Sequence, residues 1–164
     1  MPGSGKSAVG KEAARRLGVP FADCDRAIER ESGCTIAELF ERSGEAVFRE
    51  REAATLAALI DAGPSVIATG GGAVLRSDNR DLLRTHTVCV FLHAGHDLLW
   101  NRLRRDRRRP LLQVANPEAR LRELRAEREP LYLETAHIVI ETEGLPFSRL
   151  VDEVVRRVAV ETGR

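Results

Sequence analysis

The sequence predicts an α/β fold in which a parallel sheet is covered by helices on both faces, and three observations support this prediction. Short apolar runs typical of strands alternate along the chain with amphipathic stretches typical of helices. This order is the one that parallel strands require for their crossover connections. The chain has 164 residues, of which 43% are hydrophobic and 31% charged, which suits one globular domain with a buried core. We expect a single domain over residues 1–164.

Composition limits the partners that the chain is expected to have. It contains 26 basic and 25 acidic residues, for a net charge of +1, whereas dedicated nucleic-acid binders usually show a basic excess. No run in the sequence approaches the roughly 20 apolar residues of a membrane helix. Cys24, Cys34 and Cys89 lack the spacing of zinc ligands and fit a reducing compartment. We expect a cytoplasmic protein that binds neither nucleic acid nor membranes. The histidines, which have no ligand-like spacing and are expected at surface or capping positions, are His86, His93, His96 and His137.

The sequence of the first third of the chain predicts a helix, a short strand and then two further helices. The first helix covers Lys6–Leu17 and is closed by Gly18, a residue type favoured at helix ends. An apolar run over 19–22 is typical of a short strand, and a helix is expected from about 26 to 33. The sequence from Thr35 to Glu38 matches a capping box, which indicates the start of a further helix.

The rest of the chain continues this alternation. Gly44 interrupts the third helix, which resumes over 45–62. Asn116 and Pro117 form an N-cap and first helical position, and the helix that they open is expected to end at about Arg128. The other predicted elements are strands over 65–69, 87–92 and 137–140 and helices over 96–105 and 147–158.

A glycine-rich loop near the amino terminus is the strongest local indication of function. Such loops curl backbone N–H groups around phosphate oxygens, and the positive end of the following helix points at the same group. The lysine reaches the β- and γ-phosphates, and the serine hydroxyl binds Mg²⁺. A glycine- and serine-rich tail is the alternative. The predicted nucleotide-binding residues are Gly3, Ser4, Gly5, Lys6, Ser7 and Ala8.

The loop lacks one part of the full phosphate-binding motif. Counting back from Gly5 places the first glycine of that motif one position before Met1, and the strand that should precede the loop is missing too. We expect that Met1 is a misassigned start and that the native protein has about ten more residues, enough for one strand and the rest of the loop. The alternative is a decayed or repurposed copy.

Six short motifs follow one another along the chain: Gly3-Ser4-Gly5-Lys6-Ser7, Asp23-Cys24-Asp25, Phe48-Arg49, Gly70-Gly71-Gly72, Arg109-Pro110-Leu111-Leu112 and Arg128-Glu129-Pro130-Leu131-Tyr132. Taken together and in order, they resemble those of shikimate kinases over nearly the whole chain. The resemblance implies a three-layer P-loop kinase fold with a five-stranded parallel sheet, whose first, central strand is missing here, and a mobile lid. It also implies a monomer that uses ATP and Mg²⁺ to phosphorylate the 3-hydroxyl of shikimate in aromatic amino-acid synthesis.

Two aspartates lie two positions apart at the end of a predicted strand, at the edge where α/β proteins bind ligands. In an extended segment, Asp23 and Asp25 would share one face. The resemblance implies that Asp23 orients Mg²⁺ together with Ser7. It also implies that Asp25 accepts the proton of the attacking hydroxyl. The alternative is that Asp25 caps the helix that follows.

Two arginines and a glycine triplet are implied to bind the acid. By resemblance, Arg49 and Arg128 hold the carboxylate of shikimate, Glu52 holds the Arg49 guanidinium, and the substrate-binding segment covers about 25–52. A planar guanidinium suits this role because it can bind a carboxylate through two parallel hydrogen bonds. From the residues alone, a charged helix face, a helix C-terminal cation and a permissive loop remain the alternatives. The triplet implied to contact the ring is Gly70, Gly71 and Gly72.

An arginine-rich stretch, with six arginines in the eight positions from 102 to 109, is the last candidate. Such a stretch is generally a solvated basic face or a nucleic-acid patch. The resemblance instead implies a lid over about 105–116, with Arg109 closing over the γ-phosphate and Arg102 near the adenine. A cation brought in by closure stabilises charge on the transferred phosphoryl group, and closure excludes water.

Three other functions stay open at the level of sequence. The first is another small P-loop kinase, such as one for gluconate, which would not need Arg49 and Arg128 on one carboxylate. The second is a non-catalytic module that senses shikimate or a nucleotide. The third is a basic RNA-binding domain.

Overall fold

Seven α-helices and four short strands alternate along the computed structural model, which describes residues 1–104 and 114–163. None of these described helices is long and apolar enough to cross a membrane. Strands alternate with helices as the sequence predicts. The elements are α1 (Lys6–Leu17), β1 (Phe21–Asp23), α2 (Cys24–Ser32), α3 (Ile36–Asp61), β2 (Val66–Ala68), a 3₁₀ turn (Ala73–Leu75), α4 (Ser77–His86), β3 (Val90–His93), α5 (His96–Leu103), α6 (Pro117–Thr135), β4 (Ile138–Glu141) and α7 (Phe147–Glu161).

The strands form two parallel pairs. β1 pairs with β2, with Ala22 opposite Ile67, and β3 pairs with β4, with Phe91 opposite Val139. The parallel direction confirms the prediction, since helices connect the two strands of each pair. The single sheet that the resemblance implies is present, in the described part of the chain, as two separate two-stranded sheets. A cavity of about 890 Å³ is lined by residues from both pairs.

Three buried clusters hold these elements in place. Val9 of α1 and Val151 of α7 pack against Leu92 of β3. Ile28 belongs to a cluster that joins α2, α3 and α4, and Leu99 to one that joins β3, α5 and α6. Each such side chain stabilises the fold by about 1.5–3 kcal/mol when it is fully buried. The clusters therefore fix the carboxyl ends of the strands relative to the helices that follow them.

The long helix α3 bends where the sequence predicts an interruption. Thr35 caps its first turn, and the reciprocal bonds with Glu38 form the predicted capping box. Gly44 has φ +77° and ψ 172° inside the helix, a conformation that other residues adopt at considerable strain. Neither the 3₁₀ turn (Ala73–Leu75) nor α4 (Ser77–His86) was predicted from the sequence.

The carboxyl end of α6 differs from the prediction. The sequence predicts an end at about Arg128, but the helix runs through Pro130 to Thr135. A proline removes an intrahelical hydrogen bond and so favours a helix end. Here the buried ring of Tyr132 stacks on Phe91, with 5.0 Å between ring centroids, and this packing stabilises the helix beyond the proline. Arg128 therefore lies inside a helix, and the alternative that it is a helix C-terminal cation is wrong.

Candidate active site

The amino-terminal loop folds back on itself ahead of α1. Gly3 and Gly5 have φ values of +77° and +89°, which residues with side chains rarely adopt. The ammonium group of Lys6 donates to the carbonyl oxygen of Met1 at 2.7 Å, and the buried hydroxyl of Ser4 donates to the same oxygen at 3.0 Å. α1, which lies wholly within the described residues, has no side-chain N-cap bond and no acidic residue in its first turn. Its first N–H groups and its positive end therefore suit a phosphate group.

Two oxygen atoms suitable for Mg²⁺ lie beside this loop. The hydroxyl of Ser7 donates to Oδ2 of Asp23 at 2.7 Å. Mg²⁺ prefers oxygen ligands and usually combines one or two protein carboxylates with phosphate oxygens and water. Among the described residues, no group of three or more His, Cys, Asp or Glu side chains could hold a metal alone. The pair therefore fits a Mg²⁺ ion that arrives with a nucleotide.

The structure corrects both expectations about the aspartate pair. Because α2 begins at Cys24, Asp25 lies in its first helical turn and does not share an extended face with Asp23. Asp23, not Asp25, is the N-cap, and its Oδ1 accepts from the N–H of Arg26 at 3.3 Å. Cys24 is buried, and this burial raises the pKa of its thiol to about 12, so the thiol stays protonated and unreactive.

The glycine triplet leaves no room for a side chain at two of its positions. A Cβ atom on Gly70 would lie 2.5 Å from Oε1 of Glu52 and 2.8 Å from Oδ1 of Asp25. A Cβ atom on Gly72 would overlap the guanidinium of Arg49. The bare backbone therefore allows two carboxylates and a guanidinium from α2 and α3 to approach the loop closely.

An ion pair on α3 fixes Arg49 at this loop. Its Nη1 atom lies 2.7 Å from Oε2 of Glu52, and Nη2 lies 2.9 Å from Oε1 of Glu45. The side chain of Glu52 is only 1% exposed and that of Arg49 only 11%. Burial raises the pKa of Glu52, and the neighbouring guanidinium opposes this effect. Arg49 is thus held in one orientation before any ligand binds.

Arg128 and Tyr132 of α6 reach the same loop at Gly71. The hydroxyl of Tyr132 donates to the carbonyl oxygen of Gly71. A Cβ atom on Gly71 would lie 3.8 Å from Nη1 of Arg128 and 3.6 Å from Cδ of Pro2. Pro2 immediately precedes the glycine-rich loop over residues 3–7, the phosphate loop. The phosphate loop, the glycine triplet and α6 therefore converge.

The guanidinium of Arg128 is buried but incompletely paired. Its side chain is 5% exposed, and the carboxylate of Glu127 lies 4.0 Å from Nε. Within the described part of the chain, this Nε atom has no hydrogen-bond partner. A buried charge without full pairing is unfavourable, so the position favours an anionic ligand.

Tyr132 stands in the last of the six motifs, but no role was predicted for it from the sequence. It follows Arg128 by four positions, which places both side chains on one face of a helix. Because the helix was expected to end near Arg128, Tyr132 was not predicted to lie on the same helical face. Burial raises the pKa of Tyr132 to about 12, so the hydroxyl remains a hydrogen-bond donor at neutral pH.

Of the two arginines predicted to lie near the nucleotide, the structure describes one. Nη1 of Arg102 donates to the carbonyl oxygen of Gly3 at 3.0 Å, which places this exposed side chain beside the phosphate loop. Arg109 and positions 105–113 of the predicted lid lie outside the described residues.

A phosphate loop that converges with buried guanidinium groups defines the class of this protein, which is a P-loop kinase for a small molecule. The family model for shikimate kinase matches residues 2–159. The chain belongs to the shikimate kinase family.

Curated relatives and solved structures agree with this assignment. A shikimate kinase of Paracidovorax citrulli is 48% identical over 157 residues, which cover 94% of this chain and 86% of that protein. One from Ruegeria pomeroyi is 46% identical and covers 97% of this chain and 82% of that protein. The structure of the Acinetobacter baumannii shikimate kinase in complex with shikimate is similar, with a TM-score of 0.90 and 40% identity over 97% of this chain and 89% of that one.

Proposed function

We propose that the protein transfers the γ-phosphoryl group of ATP to the 3-hydroxyl of shikimate, giving shikimate 3-phosphate and ADP in aromatic amino-acid synthesis. The family supports this reaction and its use of ATP and Mg²⁺. The roles of individual residues are part of this proposal. They rest on the geometry of the described residues, except for the role of Arg109, which rests on the resemblance alone.

The phosphate loop binds the nucleotide in this proposal. Gly3, Ser4, Gly5 and Ala8 would contribute backbone to the phosphate site, and Lys6 would bind the transferred group. Its ammonium group lies over the loop already, bonded to the Met1 carbonyl at 2.7 Å. Ser7 and Asp23 would hold Mg²⁺, which supplies positive charge to the phosphate oxygens.

The acceptor site is the part of the proposal on which substrate identity depends. Arg49 and Arg128 come from different helices, are both largely buried and approach one bare glycine loop. Two guanidinium groups that converge beside this loop suit a small molecule with a carboxylate, and the nearby carboxylate of Asp25 suits a hydroxyl of the same molecule. This convergence is the single observation that supports an acceptor with a carboxylate over an uncharged one, and the family supports shikimate over other hydroxy acids such as gluconate.

Asp25 would prepare the attacking hydroxyl. Its Oδ1 is directed at Gly70, so a ring held against the triplet would place a hydroxyl within reach of this carboxylate. Phosphoryl transfer depends mainly on alignment and charge stabilisation, and a carboxylate that accepts the hydroxyl proton also orients the oxygen. In the predicted closed state, Arg109 would neutralise charge on the transferred group.

An assay that couples ADP release to an optical signal tests the acceptor. We expect rapid ADP formation with shikimate and only background rates with gluconate or with no acceptor. Lys6→Ala should lower kcat by about a hundredfold or more, whereas Lys11→Ala, a change at an exposed lysine of α1, should leave it unchanged. Arg49→Ala should mainly raise the KM for shikimate.

Two outcomes would contradict the proposal. Equal rates with gluconate would identify another small-molecule kinase. Calorimetric binding of shikimate without ADP formation would identify a sensing module. Either result would leave the family assignment intact and change only the activity.

We also propose a monomer in the cytoplasm. The described cysteines, Cys24, Cys34 and Cys89, form no disulfide, which is compatible with a reducing compartment. Sedimentation analysis of the purified protein tests the monomer directly, and a mass near twice 18.2 kDa would contradict it.

A further inference from the structure

A histidine at the carboxyl end of β3 lies between two carboxylates. Nε2 of His93 is 2.5 Å from Oε1 of Glu129 on α6, and Nδ1 is 2.6 Å from Oε2 of Glu141 at the end of β4. The two parallel strands and α6 therefore meet at one imidazole. The sequence alone predicts only a surface or capping position for His93.

The charge state of His93 decides how firmly these elements are joined. Only the imidazolium has N–H groups on both ring nitrogens, so only this form donates to both carboxylates. The hydrogen bond to Glu141 and then that to Glu129 raise the pKa of His93 above its usual 6.5, while partial burial opposes them. The other charged groups around the cluster are Arg125 of α6 and Glu143, which follows β4.

A neutral His93 would have a different set of partners. Nη2 of Arg125 lies 3.1 Å from Nε2 of His93, so a neutral ring would accept from Arg125 and keep its single N–H for Glu141. Glu129 would then be held by Arg125 alone, at 2.6 Å from Nε. A neutral His93 would therefore keep one hydrogen bond to α6, from Arg125, but would lose the charge-assisted hydrogen bond to Glu129, the residue next to Arg128.

The hydrogen bond between His93 and Glu129 lies next to the position where α6 lacks one helical hydrogen bond. Pro130 has no N–H, so the helical hydrogen bond to the carbonyl of Ala126 is absent. Beyond the proline, α6 is held by Arg80 and Arg84 of α4, which bond to Glu134. On the amino-terminal side of Pro130, where Arg128 lies, His93 joins α6 to the strands through Glu129.

We propose that His93 is a positioning residue for acceptor binding, which fixes the segment of α6 that contains Arg128 by holding Glu129, and does so most firmly when protonated. The proposal rests on the proposed function, because it concerns the site of the shikimate carboxylate. Arg128 depends on this support, because its Nε has no hydrogen-bond partner among the described residues and its hydrogen bond with the Tyr132 hydroxyl comes from the same helix. The position of α6 therefore largely sets its direction.

The test measures the KM for shikimate across pH in wild type and His93→Phe, which keeps a ring beside Phe91 but removes both N–H groups. We expect the variant KM to exceed the wild-type KM by about fivefold near pH 6, with kcat within about twofold. The ratio of the two KM values should fall as pH rises and the wild-type ring loses its second proton, because the neutral ring keeps the hydrogen bond from Arg125 but no longer donates to Glu129. His86→Phe, the same exchange at an exposed histidine of α4, should give a ratio of one throughout.

A ratio that does not change with pH would overturn the proposal. A constant ratio above one would mean that His93 acts by packing against Phe91, and a constant ratio of one would mean that it has no role in binding. If wild type neither binds nor phosphorylates shikimate, the proposed function and this inference fail together. Normal wild-type kinetics with a flat ratio would remove the inference alone.

Titration of His93 by NMR gives a second readout that needs no activity. We expect a wild-type pKa above 6.5 that falls in Glu129→Gln, where one charged acceptor is neutralised. A wild-type pKa at or below 6.5 would overturn the proposal even if His93→Phe did not fold.

Discussion

The guanidinium of Arg49 is held by the carboxylate of Glu52 one turn further along α3, with 2.7 Å between Nη1 and Oε2. Glu52 is 1% exposed, and its other oxygen, Oε1, lies against Gly70. The pair therefore orients a cation and at the same time joins α3 to the glycine triplet. A buried carboxylate is tolerated here because the guanidinium pairs with it.

Neutralising this carboxylate should weaken acceptor binding. In Glu52→Gln the shape is kept but the charge-assisted bond to Arg49 is lost, so the KM for shikimate should rise about tenfold with kcat within about threefold. Steady-state kinetics measure both values. Glu50→Gln, at an exposed position of the same helix, should match wild type. An unchanged KM in Glu52→Gln would contradict the orienting role.

Gly70 and Gly71 should differ in how well they tolerate an added methyl group. Gly70→Ala brings a Cβ to 2.5 Å from Oε1 of Glu52, whereas in Gly71→Ala the Cβ lies 3.5 Å from the hydroxyl of Tyr132, an ordinary contact. Gly70→Ala should lower the free energy of unfolding by about 1–3 kcal/mol, and Gly71→Ala should lower it by less. Urea denaturation without ligands measures this difference. Equal stabilities of the two variants would show that Glu52 and Asp25 do not restrict Gly70.

Tyr132 should titrate at unusually high pH in the folded protein. Burial raises its pKa to about 12, above the ordinary 10.0, so the folded state keeps a proton that the unfolded state loses. Stability should therefore fall as pH rises above 10. Tyr132 is the single tyrosine of the chain, so ultraviolet absorbance reports it alone. Tyrosinate absorbance that appears at about pH 10 in the folded protein would contradict burial of this hydroxyl.

Removing the hydroxyl of Tyr132 should also destabilise the glycine loop. Tyr132→Phe leaves the carbonyl of Gly71 without this donor, which should lower the free energy of unfolding by about 1–3 kcal/mol. The KM for shikimate should rise with it, because Arg128 lies on the same helical face. A variant as stable as wild type would mean that the hydrogen bond contributes nothing net.

The pair formed by Ser7 and Asp23 should govern the magnesium requirement. Ser7→Ala removes one candidate ligand oxygen, so the Mg²⁺ concentration for half-maximal activity should rise about tenfold. Ser43→Ala, at an exposed serine, is the control. Asp23→Ala should in addition lower the free energy of unfolding by about 1 kcal/mol, since Asp23 caps α2. An unchanged Mg²⁺ dependence in Ser7→Ala would place the metal elsewhere.

The features that the sequence predicted are those encoded locally. The phosphate loop depends on Gly3, Gly5 and Lys6, which are neighbours in the chain, and the kink at Gly44 depends on one residue. The alternation of strands and helices follows from periodicity within short windows. Such features need no knowledge of what packs against them.

The features that the sequence did not predict depend on packing between distant segments. α6 continues past Pro130 because Tyr132 packs on Phe91, and a local rule for proline cannot include that contact. The two carboxylates around His93 come from α6 and β4, which only the folded chain brings to one ring. The predicted positions of Asp25, on one extended face with Asp23 or as the helix cap, are both wrong because Asp23 itself caps α2.

The central claim is that this chain joins ATP and shikimate in one site, and product analysis tests it most directly. The purified protein is incubated with ATP, Mg²⁺ and shikimate, and the product is examined by ³¹P and ¹H NMR. We predict a phosphomonoester coupled to the proton on carbon 3 of shikimate, formed by wild type and Lys11→Ala and absent with Lys6→Ala. Release of inorganic phosphate without this ester, or an ester at another hydroxyl, would contradict the account.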